Sequence, residues 1–256
     1  DRVKEKQFLN DTGIDTARWA AARTPDEATK AVTEMSCSEF IIKTARFGYD
    51  GKGQVLCRDS AEIDTYWPSL GSEHNIIEEV IDFDCEISVI VARDKIGQMA
   101  FYGPMINEHK NHILSRTIIP APLPEDIISH ARQMAEQLAE AVNLIGVLTL
   151  EMFVTKDGKI LANEIAPRTH NSGHWTIDAC AVSQFEQHVR TIAGLPVGNP
   201  ARHADAVMIN LIGDDVNDLD EWLNTPGACL HLYGKAESRP SRKMGHVTIL
   251  NPEKNQ

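Results

Sequence analysis

Asn163-Glu164-Ile165-Ala166-Pro167-Arg168-Thr169-His170-Asn171-Ser172-Gly173-His174-Trp175 decides how this chain is read. The apolar run Lys159-Ile160-Leu161-Ala162 ahead of it reads as the end of a strand. Glu164 therefore leaves that strand at a cleft, while Pro167 and Gly173 hold an irregular loop. A carboxylate beside a carboxamide, Glu164 beside Asn163, is a hard oxygen set that suits magnesium shared with nucleotide phosphates better than zinc. Arg168 offers a planar fork to carboxylate or phosphate. His170 and His174 can move protons near neutral pH.

Upstream, Gly146 to Val154 and Lys159 to Glu164 read as a hairpin turned by Lys156-Asp157-Gly158, which puts Glu151 and Glu164 on paired strands. Facing residues of such strands sit about 5 Å apart, near enough for two carboxylates to serve a pair of magnesium ions. Before the hairpin, Pro124-Glu125-Asp126 opens a helix with Ile127, Ile128, Ala131, Met134, Ala135, Leu138 and Val142 on a 3.6-residue period. After the loop, a helix is expected from Thr176 to Ala193, closed by Gly194. Leu195 to Pro200 is a Pro/Gly/Asn-rich boundary, and beyond it Asp205–Ile212, Cys229–Tyr233 and Met244–Leu250 read as strands, with a short helix near Leu219–Leu223.

In the N-terminal part, Asp1 caps a helix to about Asn10, and Thr24-Pro25-Asp26-Glu27 starts another that runs to about Ser36. Glu39 to Thr44 reads as a buried strand carrying Lys43, followed by a glycine-rich turn, Gly48-Tyr49-Asp50-Gly51-Lys52-Gly53, and a return strand, Gln54 to Cys57. Such a turn is either an ordinary glycine hairpin or a flap laying backbone N–H groups over phosphates. A short helix near Ser60–Ser69, a strand Asn75–Val80 and a hairpin of Glu86–Arg93 with Gly97–Tyr102 follow. Glu78-Glu79-Val80-Ile81 and the acidic turn to Glu86 present a backbone edge and carboxylates to a base and its ribose, or simply a solvated turn. His109 and His112 fall in a polar loop with no further zinc ligands nearby, so no structural zinc is expected there. Arg239, Arg242, Lys243 and His246 form the one basic cluster, suited to a phosphate or to solvent.

With 256 residues and 42% hydrophobic content, the chain holds one large or two modest cores. Lys+Arg 25 against Asp+Glu 37, a net charge of -12, argues against a nucleic-acid or membrane-surface partner. Cys37, Cys57, Cys85, Cys180 and Cys229 are scattered and form no C-x-x-C pair, as expected of reduced thiols in a cytoplasmic protein. The start on Asp1-Arg2-Val3-Lys4, without an initiator methionine or signal-peptide pattern, suggests that something precedes it.

Taken in order, Lys43, Gly48 to Gln54, Glu78 to Ile81, Glu86, Glu151 and Asn163-Glu164 resemble the ATP-grasp superfamily. The loop Asn163 to Trp175, the run Lys43 to Gln54 and Arg242-Lys243-Met244-Gly245-His246 resemble its 5-(carboxyamino)imidazole ribonucleotide synthase family, from the first residue to Leu250. The resemblance implies an α+β ATP-grasp fold, two α+β subdomains enclosing ATP, over 1–194, with about 17–80 holding the flap. A small β-rich C-terminal domain over 195–256 would follow it. The family's N-terminal dinucleotide-fold-like domain, which would normally precede the Arg2 region, is expected to be absent from this chain.

For the site, the resemblance implies that Arg2 and Lys43 contact ATP phosphates and that Gly48, Tyr49, Asp50, Gly51, Lys52, Gly53 and Gln54 close over them. Glu78, Glu79, Val80 and Ile81 would hold adenine, Glu86 the ribose, with His109 and Asn163 also at the nucleotide. Glu151 and Glu164 would hold Mg2+, and Glu164 would touch ATP as well. Arg168, His170, Asn171, Ser172, His174, Arg242 and Lys243 would line the pocket for bicarbonate and 5-aminoimidazole ribonucleotide, with Arg168, His170 and Lys243 catalytic. The implied enzyme is an ATP-dependent carbon–nitrogen ligase of purine biosynthesis, commonly a homodimer, making the carboxylated ribonucleotide through carboxyphosphate. A related ligase using formate and glycinamide ribonucleotide, and a nucleotide-binding module without catalysis, are the competing expectations.

Overall fold

The structure, a computed structural model, describes residues 1–48 and 53–252. Tyr49, Asp50, Gly51 and Lys52, the tip of the expected flap, lie outside the described residues. The chain divides into two compact units, one of residues 1–84 and 153–164, the other of residues 85–152 and 165–256.

In the first unit, α1 (Arg2–Asp11) starts where the Asp1 side chain accepts from the N–H of Lys4. The helix α2 (Pro25–Met35) starts on Thr24, whose hydroxyl accepts from the N–H of Glu27, with proline pre-set for the first turn. Between them lies β1 (Trp19–Ala22), and after α2 come β2 (Phe40–Thr44), β3 (Gln54–Cys57), α3 (Ile63–Leu70) and β4 (Asn75–Glu79). These strands make an antiparallel sheet ordered β1-β4-β2-β3. Its inward face, with Phe40, Ile42 and Ile77, packs on Ala28 and Val32 of α2 and Ile63 of α3. Gly53 closes the β2–β3 connection at φ +71, where an added Cβ would lie 2.7 Å from the Thr44 hydroxyl, so only glycine fits.

The second unit is built on β5 (Phe83–Arg93), β6 (Met99–Lys110), β7 (Ile113–Ile119), β8 (Gly146–Thr155), β10 (Ala206–Ile212), β11 (Ala228–Leu232) and β12 (Lys243–Leu250). Among the described residues they are ordered β11-β12-β10-β7-β6-β5-β8, with β9 (Ile160–Ala166) beside β8 as the second strand of its hairpin. The C-terminal strands thus continue the sheet, through antiparallel pairing of β10 with β7. The expected long helix α4 (Glu125–Ala141) buries Ile127, Ala131, Met134, Ala135 and Leu138, while Val142 forms its C-cap and is exposed.

Two local expectations are corrected. The helix read over Thr176–Ala193 is two pieces, α5 (Thr176–Ala179) and α6 (Gln184–Ile192), separated by extended Cys180, which bridges to Arg202. Ser183 caps α6 through the N–H of Glu186, a Ser-x-x-Glu signal present in the sequence. The Thr176 hydroxyl donates to Gly173 O and accepts from the N–H of Gln184, tying the two pieces together. His109, placed in a polar loop by composition, lies in β6 opposite Leu114, and only His112 occupies the turn, at φ 63. A sheet ladder needs only backbone groups, so polar Glu108 to Lys110 extend the strand toward solvent. The short helix near Leu219–Leu223 is α7 (Asp220–Asn224).

Candidate active site

In the first unit the charges converge on Glu78, which β4 holds buried at 4% exposure. Lys43 Nζ, from the neighbouring β2, lies 2.7 Å from Glu78 Oε2. Lys6, on α1 and as buried as Glu78, lies 3.9 Å from Oε1 and donates to Ala162 O at 3.4 Å. Burial alone would raise the Glu78 pKa, but the charges of Lys43 and Lys6 outweigh it and hold the carboxyl below its usual range. Burial lowers the Lys6 pKa, with Glu78 opposing it. Two lysines on one carboxylate leave the cluster with an excess positive charge. Arg2 donates to Thr44 O and Gly48 O, both at 2.9 Å, clasping the two sides of the turn that follows β2.

The segment Glu78 to Ile81 is more committed than the sequence indicated. The side chain of Glu78 belongs to the lysines, and Glu79 binds Arg18 through Nε at 2.6 Å and through its N–H at 2.9 Å. The N–H groups of Glu79 and Val80 donate to Arg18 O and Glu39 O. Nearby in this unit Phe83 stacks on Phe153, ring centroids 4.8 Å apart. Glu164 is exposed and Asn163 half-buried on β9.

The second unit brings together most of the predicted acceptor loop. His170 Nε2 is 3.0 Å from Glu151 Oε1, the β8 carboxylate being 9% exposed. The Nδ1 of His170 accepts from the N–H of Ser172 at 3.3 Å and meets the Ser172 hydroxyl at 2.8 Å. A nitrogen that accepts from a backbone N–H carries no proton, so the ring proton sits on Nε2, facing Glu151. The Ser172 hydroxyl continues to Ser88 at 2.9 Å, Ser88 accepts from Asn107, and Asn107 accepts from Thr117. This chain runs through fully or almost fully buried side chains, where an unpaired member would cost about 1–3 kcal/mol.

Two amides fix the rest of the loop. Gln184, fully buried at the start of α6, accepts from the N–H of His170 and donates to His170 O and to His174 Nδ1. Gly173 passes so close that a Cβ there would lie 2.3 Å from Ile90 and 2.8 Å from Gln184. Asn171 and Asn210 exchange amide hydrogen bonds at 2.9 and 2.8 Å. Burial pushes His174 down to about 4, so its ring is neutral near pH 7, and pushes His246 down to about 3. Arg168 is exposed, its guanidinium on Thr169 O, and Arg242 donates to Glu237 O. Lys243 opens β12, its carbonyl accepting from Lys235 Nζ.

Glu86 and His109 meet as well. Glu86 pairs with Asn107 in the β5–β6 ladder, and His109, two residues on, turns to the same face, its Nδ1 3.1 Å from Glu86 Oε2. Burial lowers the His109 pKa, but the Glu86 hydrogen bond and charge prevail and raise it. Sequence reasoning missed Lys6, Ser88, Asn107, Gln184 and Asn210. Ser88 and Asn210 are isolated polar residues in apolar runs, a signal that a buried hydrogen-bonded position is needed there, whereas Lys6, Asn107 and Gln184 stand beside other polar residues and carry no such signal.

The residues thus give one unit two lysines gathered on a buried carboxylate and the other a carboxylate held by a loop histidine. The family model of the ATP-grasp domain matches residues 7–185, and that of the phosphoribosylaminoimidazole carboxylase C-terminal domain matches 206–256. The chain belongs to the N5-carboxyaminoimidazole ribonucleotide synthase family. It is 47% identical over 254 residues to the N5-carboxyaminoimidazole ribonucleotide synthase of Brucella melitensis, covering 98% of this chain and 70% of that one. An ADP complex of an N5-carboxyaminoimidazole ribonucleotide synthetase superposes with TM-score 0.93 at 40% identity, covering 99% of this chain and 67% of that one. The Aspergillus clavatus N5-carboxyaminoimidazole synthase, in complex with ADP and 5-aminoimidazole ribonucleotide, gives TM-score 0.91 at 29% identity, covering 100% and 69%. The chain therefore spans about two thirds of the length of these relatives.

Proposed function

We propose that this chain carries the ATP- and bicarbonate-dependent carboxylation of 5-aminoimidazole ribonucleotide to its N5-carboxy derivative, a carbon–nitrogen ligation of de novo purine biosynthesis that releases ADP and phosphate. A bicarbonate oxygen attacks the γ-phosphorus, the bond to ADP breaks, and carboxyphosphate forms. The ribonucleotide amine then attacks the carboxyl carbon, or carbon dioxide released from it, phosphate leaves, and the amine gives up a proton. The reactants are anions throughout, so the residues' task is to offset charge, position the groups and exclude water.

The observation that carries this reading is the His170–Glu151 pair, which fastens a carboxylate assigned to the metal to the loop assigned to the acceptor. Glu151 and Glu164, with the Asn163 carboxamide, are hard oxygen donors that fit Mg2+, whose charge when bound supplements that of the lysines. Lys43, with Lys6 behind it on Glu78, supplies positive charge toward the phosphates, and Arg2 holds the turn between Thr44 and Gly48 ahead of the glycine-rich segment assigned to them. Glu78 acts here through Lys43, and the adenine falls to the segment's backbone near Val80 and Ile81. Glu86 with His109 takes the ribose. His170 orients Glu151, neutral His174 accepts or passes a proton, and Arg168, Asn171, Arg242 and Lys243 bind the anionic acceptor and bicarbonate. The functional division into 1–194 and 195–256, a homodimeric state and a cytoplasmic location belong to the same proposal. Among the described residues no helix is long and apolar enough to cross a membrane.

The test is ADP release by the full-length protein. Turnover that rises only when bicarbonate and 5-aminoimidazole ribonucleotide are both present supports the reading. Turnover driven by formate and glycinamide ribonucleotide, or ATP binding without ADP release under any substrate, overturns it.

A further inference from the structure

One cluster beside the acceptor loop has no part in the reaction described above. Asp178 ends in the second unit on α5, while His231 and His246 are register partners on β11 and β12. The two imidazoles stack with centroids 4.5 Å apart and an interplanar angle of 12°. His231 Nε2 lies 2.9 and 3.0 Å from the two Asp178 oxygens. One carboxylate oxygen and one ring nitrogen from each histidine fall within 4.8 Å of one another, the group among the described residues with this property.

His246 supplies the second observation. It is 1% exposed, its Nδ1 is 2.9 Å from the Tyr233 hydroxyl, and its Nε2 is buried without a hydrogen-bond partner. A ring nitrogen left so would cost about 1–3 kcal/mol, and a cation taking its lone pair removes that cost. An Nδ1–H donated to a second group is the usual way a ligating histidine is oriented, and in the tautomer with Nε2 free for a cation the Tyr233 oxygen is that acceptor.

We propose that Asp178, His231 and His246 form a binding site for a divalent transition cation of the zinc class. Two imidazoles and one carboxylate select such a cation over magnesium, in contrast to the all-oxygen donors Glu151, Glu164 and Asn163. On binding, His231 exchanges its Nε2 hydrogen bond to Asp178 for a coordinate bond, its ring proton residing on Nδ1. The bound cation braces α5 against β11 and β12, next to His174, whose ring centroid is 5.1 Å from that of His246.

The experiment is a titration of tag-free, chelator-stripped full-length protein with Zn2+ by calorimetry and with Co2+ by visible absorption. One equivalent of zinc is expected, with a cobalt d–d spectrum. His246→Gln and Asp178→Asn should each weaken zinc binding at least about tenfold, and Glu164→Gln should leave it unchanged. Circular dichroism reports folding. If His246→Gln does not fold, His231→Gln, at a partly exposed side chain, takes its place. Absence of stoichiometric zinc uptake, uptake undiminished in the variants, or loss of the cobalt signal in Glu164→Gln would each overturn the proposal. The readout is metal binding, so failure of the carboxylation reading leaves this test standing.

Discussion

The Lys43–Glu78–Lys6 cluster of the first unit and the Glu151–His170–Ser172–Ser88 chain of the second are both buried polar assemblies, built on opposite principles. The first gathers full charges, two cations on one carboxylate, and its output is an excess of positive potential. The second links a carboxylate to imidazole and hydroxyl groups, and its output is direction: it fixes which ring nitrogen faces Glu151 and where that carboxylate points. A phosphate chain needs charge, which is tolerant of small displacements. A metal ligand needs orientation, which is not.

That contrast can be broken in graded ways. The largest effect is expected from the carboxylates proposed to hold the metal. Glu164→Gln should lower turnover roughly 10⁴-fold, about 5 kcal/mol of barrier, with an unchanged denaturation midpoint. Near-normal turnover in that variant would remove Glu164 from the metal. Glu78→Ala leaves Lys6 buried without its countercharge and should destabilise the fold by about 3 kcal/mol in urea unfolding. A loss below about 1 kcal/mol would mean that the cluster is not held by charge. Ser172→Ala should reduce kcat about tenfold while the KM for ATP stays constant, since His170 loses its guide but the nucleotide site is untouched. A matching change in KM would merge the two assemblies into one.

The smallest effect concerns His109. Its folded pKa is raised by Glu86, so this pair stabilises the fold fully below the unfolded histidine value near 6.5 and loses that contribution as pH rises through the raised value. Glu86→Gln should move the His109 NMR titration midpoint downward and flatten the stability profile in that window. An unmoved midpoint would show that Glu86 is not the partner that matters.

Much of this was legible in residue order. Thr24 with Pro25, the period of α4, and the hairpin carrying Glu151 and Glu164 are local patterns, and local patterns decide local structure. The break after Ala179 was legible too, through Ser183 and Glu186, but the apolar residues flanking it masked the signal. The strand identity of His109 was not, because polar composition reads as a loop until a neighbouring strand is there to pair with it. Nor were the ion-pair partners of Glu78 and Glu79, a stretch that composition presents as a solvated acidic turn and the fold pairs with Lys43, Lys6 and Arg18.

The sequence alone determined the chemical inventory of this protein: a lysine strand before a glycine turn, two carboxylates on a hairpin, and a loop of arginine, histidines and amides. Spacing along the chain sufficed for that, since each motif spans only a few residues. Tertiary structure alone decided the partners. Lys6 meets Ala162 across 156 positions, Ser88 meets Ser172 across 84, and His231 meets Asp178 across 53. Contacts at such separations leave no periodic trace in sequence, because they arise only when packed elements bring distant side chains into a shared interior where each polar atom must find another.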